Sequence, residues 1–203
     1  MKIICIGRNY SEHAKEMKAE TPSEPVFFMK PETALIKNGA PFYYPQFSKE
    51  VHYETEIVLR ISKNGKNIEK KFAHSYYNEV TVGIDFTARD LQAQCKTKGL
   101  PWEMAKAFDG SAPIGGMVTV ARYKNLQNIE FRLDINGKTV QQGNTKDMIF
   151  TCDTLIEYVS KFVTLKTGDL LFTGTPAGVG AVSIGDKLEG YIEGVKLFEC
   201  EIK

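Results

Sequence analysis

Three carboxylates in this sequence have the type and spacing for cation chemistry. In His52-Tyr53-Glu54-Thr55-Glu56-Ile57-Val58-Leu59-Arg60-Ile61, the side chains of an extended chain alternate. Ile57, Leu59 and Ile61 therefore share one face, and Glu54, Glu56, Val58 and Arg60 share the other. Two carboxylates two residues apart on one face repel each other unless water or a cation intervenes. On spacing alone the plain reading is a solvated strand face. Asp85 shifts the balance: it ends the apolar run Val82-Gly83-Ile84 just ahead of a turn, where folds commonly present site residues, although Asp is also a routine turn former. Glu54, Glu56 and Asp85, with no Cys or His cluster, would suit a hard cation such as Mg²⁺ or Mn²⁺, leaving other positions to water or substrate oxygens.

A second group could move protons or meet an anion. His13 and Glu16 stand three apart and would project from one face of a short helix. A histidine held by a carboxylate is suited to activating water, because the carboxylate fixes the tautomer and stabilises the imidazolium. On this feature alone, an isolated H-x-x-E reads as the ordinary pair that surface helices often carry. Lys106, among apolar and small residues in Glu103-Met104-Ala105-Lys106-Ala107-Phe108-Asp109, could contact an anionic oxygen or snorkel to solvent. The glycine-rich stretch from Gly168 to Gly180 lacks the Gly-Lys-Ser/Thr ending of a phosphate-binding loop. Its glycines fit a tight backbone turn near a small ligand.

The elements that must position these groups are mainly strands. Period-2 patterning predicts strands at residues 2–6, 26–30, 52–61, 80–86, 117–120, 131–135, 169–173 and 187–199. Asn136-Gly137 predicts a tight hairpin, and Asn64-Gly65 suggests a second. Three helices are expected. One opens on an Asn9/Glu12 capping box and runs through Met17. Another opens with Thr87 and Asp90 and stops at Gly99, before Pro101. The third begins at Asp153 with Leu155, Ile156, Val159 and Phe162 on one face. Residues 19–25, with two prolines, read as a mobile surface loop. Strands outnumber helices without regular alternation, which argues against a doubly wound sheet and for a mixed α+β, predominantly β chain.

Composition excludes several classes. With 203 residues the length suits one domain spanning 1–203. A 42% hydrophobic and 25% charged composition is globular, not disordered. The 26 basic and 25 acidic residues give a net charge of +1, so there is no electrostatic footprint for nucleic acid or an anionic membrane. No stretch approaches the roughly 20 apolar residues of a spanning helix, and the N-terminal apolar run is too short for a signal peptide. Cys5, Cys95, Cys152 and Cys200 form no C-x-x-C pair, so reduced, buried thiols in a cytoplasmic protein are expected.

Taken in order, these stretches resemble the fumarylacetoacetate hydrolase family. The pieces are Gly7-Arg8-Asn9-Tyr10 with His13 and Glu16, Lys30-Pro31, His52 to Glu56, and Asp85-Phe86-Thr87-Ala88-Arg89-Asp90. Lys98-Gly99-Leu100-Pro101-Trp102, Ala105 to Asp109, and Gly174-Thr175-Pro176-Ala177-Gly178-Val179-Gly180 follow. The match covers nearly the whole chain and looks closest to the short acylpyruvate hydrolase and oxaloacetate decarboxylase branch. The resemblance implies a mixed β-sandwich roll with a few short helices, a homodimer, and Mg²⁺ or Mn²⁺ held by Glu54, Glu56 and Asp85. It implies a lid over residues 9–25 carrying His13 and Glu16 as the water-activating dyad, with Lys106 stabilising an oxyanion. Arg89, Gln92 and Thr175 match substrate-contact positions. The implied reaction is metal-dependent C–C cleavage of an acylpyruvate, a small α-keto acid, to pyruvate and a carboxylate. Rival readings are oxaloacetate decarboxylation, isomerase or tautomerase action on 2-oxo or 2-hydroxy-dienoic diacids, and a non-catalytic dicarboxylate-binding module.

Overall fold

A computed structural model describes residues 1–16 and 20–203. In chain order the strands are β1 (Ile3–Gly7), β2 (Val26–Lys30), β3 (Leu35–Ile36), β4 (Val51–Tyr53), β5 (Thr55–Ile61), β6 (Tyr77–Ile84), β7 (Thr87–Ala88), β8 (Ala112–Pro113), β9 (Val118–Thr119), β10 (Glu130–Ile135), β11 (Lys138–Asn144), β12 (Leu170–Phe172), β13 (Gly180–Ala181), β14 (Lys187–Ile192) and β15 (Val195–Glu201). The helices are α1 (Ser11–Glu16), α2 (Lys70–Ala73), α3 (Arg89–Lys98), α4 (Glu103–Lys106) and α5 (Cys152–Phe162). This is the mixed, mainly β chain that the patterning implies.

A six-stranded sheet, ordered β2-β1-β12-β5-β6-β9, and a four-stranded meander, ordered β11-β10-β14-β15, form the two main layers. Alternation along β5 sends Ile57, Leu59 and Ile61 into the principal core, where they join Phe131, Leu133, Leu188 and Ile192 of the meander and Leu155, Ile156 and Val159 of α5. The opposite face of the sheet buries a smaller cluster in which Val58 meets Cys5, Phe172 and Ile114. Side chains on that second face cannot reach bulk water by default, which matters for Glu56.

Local chemistry departs from expectation at several places, each with a physical cause. The segment read as one strand over residues 187–199 is a hairpin: Ile192 faces Val195 across Glu193-Gly194, both at positive φ. Asn64-Gly65 does not turn a tight hairpin. Gly65 instead bridges to Leu165, the Asn64 carbonyl Oδ1 accepts from Thr167 N, and α2 intervenes before β6. Asn9 does not cap α1, because its amide is spent on Phe150 and Thr173. Thr87 lies in β7 and donates to Asp85 O, so α3 begins two residues later, and Gly99 ends it as expected at φ 63°. Thr151, accepting from Thr154 N, caps α5, which starts at Cys152. Phe162, expected on the buried face of α5, is exposed and packs beside Phe27 and Tyr158. The expected end of the first helix at Met17 and the start of the 19–25 loop lie outside the described residues.

Candidate active site

Antiparallel pairing brings the three carboxylates together. Thr55 pairs with Ile84, so Glu54, one residue before β5, meets Asp85, one residue after β6, and Asp85 N donates to Glu54 O at 2.8 Å. Glu56 pairs with Gly83 one step further in. One carboxylate oxygen from each of Glu54, Glu56 and Asp85 lies within 4.8 Å of the others. All three side chains are buried, Glu56 and Asp85 to 1% exposure. The solvated-face reading of Glu54 and Glu56 is therefore overturned: the sheet face that carries them is covered.

Burying three acids demands compensation. Lys106, ending α4, donates from Nζ to Glu54 Oε2 at 2.7 Å and Asp85 Oδ2 at 2.9 Å. Arg89, opening α3, donates from Nη2 to Glu54 Oε1 at 2.7 Å and from Nη1 to Gln92 Oε1 at 2.8 Å. Lys30, at the end of β2, brings Nζ within 2.7 Å of Asp85 Oδ1, off the hydrogen-bond direction, and donates to Ser111 O at 2.8 Å and Phe86 O at 3.2 Å. Burial works against ionising Glu54, but Lys106 and Arg89 overcome it and hold the carboxyl well below its usual range. Burial likewise opposes the charge on Lys106, and Asp85 and Glu54 reverse that, keeping it cationic.

Glu56 is treated differently. Its only hydrogen bond among the described residues is from Gly174 N, at 2.7 Å. Burial and then Asp85 push its pKa well above the ordinary carboxylate value. The Gly174 N–H reaches Glu56 because Gly174 has φ 102°, and a Cβ there would come within 2.6 Å of Asn9 Cβ. A buried carboxylate with no cationic side chain, beside two acids that share theirs, fits a hard divalent cation held by Glu54, Glu56 and Asp85.

The other expected residues divide. Arg89, Gln92, Lys106 and Thr175 line the same cavity of about 40 Å³ as the triad. Thr175 accepts from Gln141 Nε2 at 2.8 Å, and Gln141 Oε1 accepts from Thr55 N. His13 and Glu16 stand outside that lining, on α1. His13 is buried, its Nδ1 lies 3.1 Å from Glu16 Oε2, and Glu16 in turn accepts from Gly178 N at 3.1 and 3.3 Å. The dyad thus pins α1 to the glycine-rich loop, and its imidazole lies close enough to act electrostatically on Glu54. Lys30 and Gln141 went unassigned from sequence. Lys30 carries a signal, a charge closing the apolar run Val26-Phe27-Phe28-Met29, whereas Gln141, in the mostly polar strand β11, carries none. A larger groove of about 570 Å³ passes Arg60 and Lys196 elsewhere on the surface. Arg60 is already paired with Glu79, and Lys196 with Glu189 and Glu199.

The family model described as fumarylacetoacetate (FAA) hydrolase C-terminal matches residues 2–203. The chain belongs to the fumarylacetoacetate hydrolase family. Among its relatives, the mitochondrial oxaloacetate tautomerase FAHD1 of Mus musculus is 40% identical over 201 residues, covering 99% of this chain and 91% of the mouse protein. The mitochondrial oxaloacetate decarboxylase of Dictyostelium discoideum is 42% identical over 195 residues, covering 96% of this chain and 89% of that protein. Fumarylpyruvate hydrolase from Pseudomonas aeruginosa, whose crystal structure is a complex with Mn²⁺ and pyruvate, superposes with a TM-score of 0.93 at 36% identity, covering 100% of this chain and 89% of that one. The fold is that of this family, whose members include hydrolases, isomerases and decarboxylases. No helix among the described residues is long and apolar enough to cross a membrane.

Proposed function

We propose that this chain is a divalent-metal-dependent enzyme that cleaves the C–C bond of an acylpyruvate, giving pyruvate and a carboxylic acid. The observation that carries the reading is the pairing of a cation-ready carboxylate triad with a buried, carboxylate-held histidine. Mg²⁺ or Mn²⁺ held by Glu54, Glu56 and Asp85 supplies Lewis acidity toward the substrate's 2-oxo carboxylate. Arg89, Gln92 and Thr175 orient the substrate at the cavity wall. His13 takes a proton from the attacking water, with Glu16 fixing the tautomer and stabilising the imidazolium. Lys106, kept cationic, faces the oxygen on which negative charge develops. Helix α1 acts as a lid, closed by the Glu16–Gly178 contact.

A second reading, keto–enol tautomerisation of oxaloacetate, is favoured by the same dyad, since a base that deprotonates water can equally move a proton at carbon. The mouse relative's name supports it. Decarboxylation needs no base and makes least use of His13.

Metal content and product analysis test the assignment together. E54Q is expected to lose both bound metal and turnover, whereas H13A keeps the metal and loses hydrolysis. Full activity of E54Q at normal metal content would sink the proposal. Persistent acylpyruvate hydrolysis in H13A removes the water-activating role, and retained oxaloacetate enolisation alone in the wild type selects the second reading.

A further inference from the structure

Gln141 is the one buried residue of β11, and its side chain crosses from the meander to the backbone between Glu54 and Glu56. Strand β12 pairs with β5 as far as Val58, and Thr173 N still reaches Ile57 O; beyond that point the chain leaves as the glycine-rich loop. Gln141 takes over where β12 departs. Its amide is fully committed: Oε1 accepts from Thr55 N at 3.0 Å, and Nε2 donates to Thr175 Oγ1 and to Pro176 O, both at 2.8 Å. Only one orientation of the amide works. Thr55 N can only donate and Pro176 O can only accept, so a flipped amide would lose both bonds. Thr175 Oγ1 therefore receives a proton from Gln141 and cannot return its own along the same contact. Thr175 is 3% exposed and lines the triad's cavity, and its hydroxyl has no other partner among the described residues. Arg89 and Lys106, cationic donors of that cavity, are already bonded to Glu54 and Asp85.

We infer that Gln141 is a positioning residue that fixes Thr175 as a hydrogen-bond donor toward bound substrate. The inference rests on the reading of the site as one that binds a 2-oxo acid. With one lone pair engaged by Gln141, the Thr175 hydroxyl turns its proton to the cavity and pairs with a carbonyl or carboxylate oxygen there. A buried hydroxyl proton without an acceptor is costly, and an oxygen of the bound acid removes that cost. The bond to Pro176 O holds the loop next to Thr175, so one amide sets both where the donor stands and which way its proton points. Gln141 itself touches neither the cavity nor the carboxylate side chains and acts through Thr175.

The test is a double-variant cycle on the full chain loaded with Mn²⁺. The dissociation constant of 2-oxobutanoate is measured by calorimetry, with kcat/KM for acetylpyruvate alongside. Q141E keeps an acceptor for Thr55 N but reverses the Thr175 contact, because a carboxylate must accept the hydroxyl proton. T175V removes the hydroxyl and keeps the branched shape. Each is expected to weaken 2-oxobutanoate binding by about tenfold. Q141E/T175V should bind no more weakly than T175V, since both substitutions remove the same hydrogen bond. T175S, which restores the hydroxyl, should bind like the wild type. A dissociation constant is set by the folded molecules that bind, so partial misfolding of a variant cannot imitate this pattern. Losses that multiply to about a hundredfold in the double variant, a Q141E protein that binds like the wild type, or a T175S protein as weak as T175V would each overturn the inference while leaving the proposed function standing. A wild type that neither binds 2-oxobutanoate nor hydrolyses acetylpyruvate overturns both.

Discussion

Lys30 shows how much of the site depends on single side chains. Its ammonium is 2% exposed at the residue level and touches Asp85, Phe86 O and Ser111 O, so it neutralises one buried charge and satisfies two buried carbonyls. Replacing it with methionine keeps the volume and leaves Asp85 short of a partner. K30M is expected to cost about 3–5 kcal/mol, the usual cost of breaking a buried pair by removing one member, measured by urea denaturation. A loss below about 1 kcal/mol would show that water or Lys106 replaces it, since exposed pairs contribute only that much. Cysteines offer a simpler test. All four are buried, and burial pushes Cys152 up to about 12 and Cys200 up to about 11. Native protein at pH 8 should therefore react slowly with a thiol reagent, and all four thiols rapidly once unfolded; a fast native thiol would contradict the burial. At this scale Glu54, Glu56 and Asp85 were legible because alternation and an apolar run placed them. Their burial was not, because the cavity they share is closed by residues distant in the chain, among them Ile6, Phe28 and Thr175. Lys30, named only within the Lys30-Pro31 piece, had no legible role for the same reason, its partners lying 55 to 81 residues away.

Elements were legible where the signal was strictly local. Asn136-Gly137 forms the expected two-residue turn, with both residues at positive φ and Ile135 facing Lys138. G137A should cost about 1–2 kcal/mol, since Gly137 has φ 77° and an added Cβ is strained there whatever the free space; an unchanged denaturation midpoint would argue for a relaxed turn. Asn64-Gly65 has the same dipeptide and a different outcome, because the bridge to Leu165 and the cap on Thr167 compete for it. The capping box failed likewise: Asn9 is more valuable tying Phe150 and Thr173 together than closing a six-residue helix. A helix as short as α1 has little stability of its own, so its position depends on docking. E16A removes the contact with Gly178 and the partner of His13 together. It is expected to speed amide exchange at Ser11–Glu16 and lower kcat by about 10²-fold or more, with the thermal midpoint and metal content nearly unchanged. Wild-type exchange in that helix would place its anchor elsewhere.

Across the whole molecule, a net charge of +1 conceals a local balance that the fold alone creates. The sheet order places the ends of β1 and β12, the start of β5 and the end of β6 along one edge. Residues from Glu54 to Thr175 converge there, and Lys30, whose backbone pairs with Ile3 at the other end of β1, reaches Asp85 with its side chain, although composition gives no hint of a cluster. Lys30, Lys106 and Arg89 already compensate Glu54 and Asp85, so the metal-free protein is expected to stay folded after chelation. Glu56 is the uncompensated member, and binding of a cation to the native state alone stabilises it by mass action. Mn²⁺ at 100 times its dissociation constant should add about 2.7 kcal/mol. For a domain of this size that raises Tm by about 5–10 °C. Differential scanning calorimetry after chelation and after Mn²⁺ addition measures both expectations. E56Q provides the control, because it retains the shape while removing the carboxylate that lacks a cation, and its Tm should respond far less to Mn²⁺. A wild-type midpoint that ignores saturating Mn²⁺ and Mg²⁺ alike would mean that Lys106, already bridging Glu54 and Asp85, is the site's resident cation and that no metal is needed to complete it.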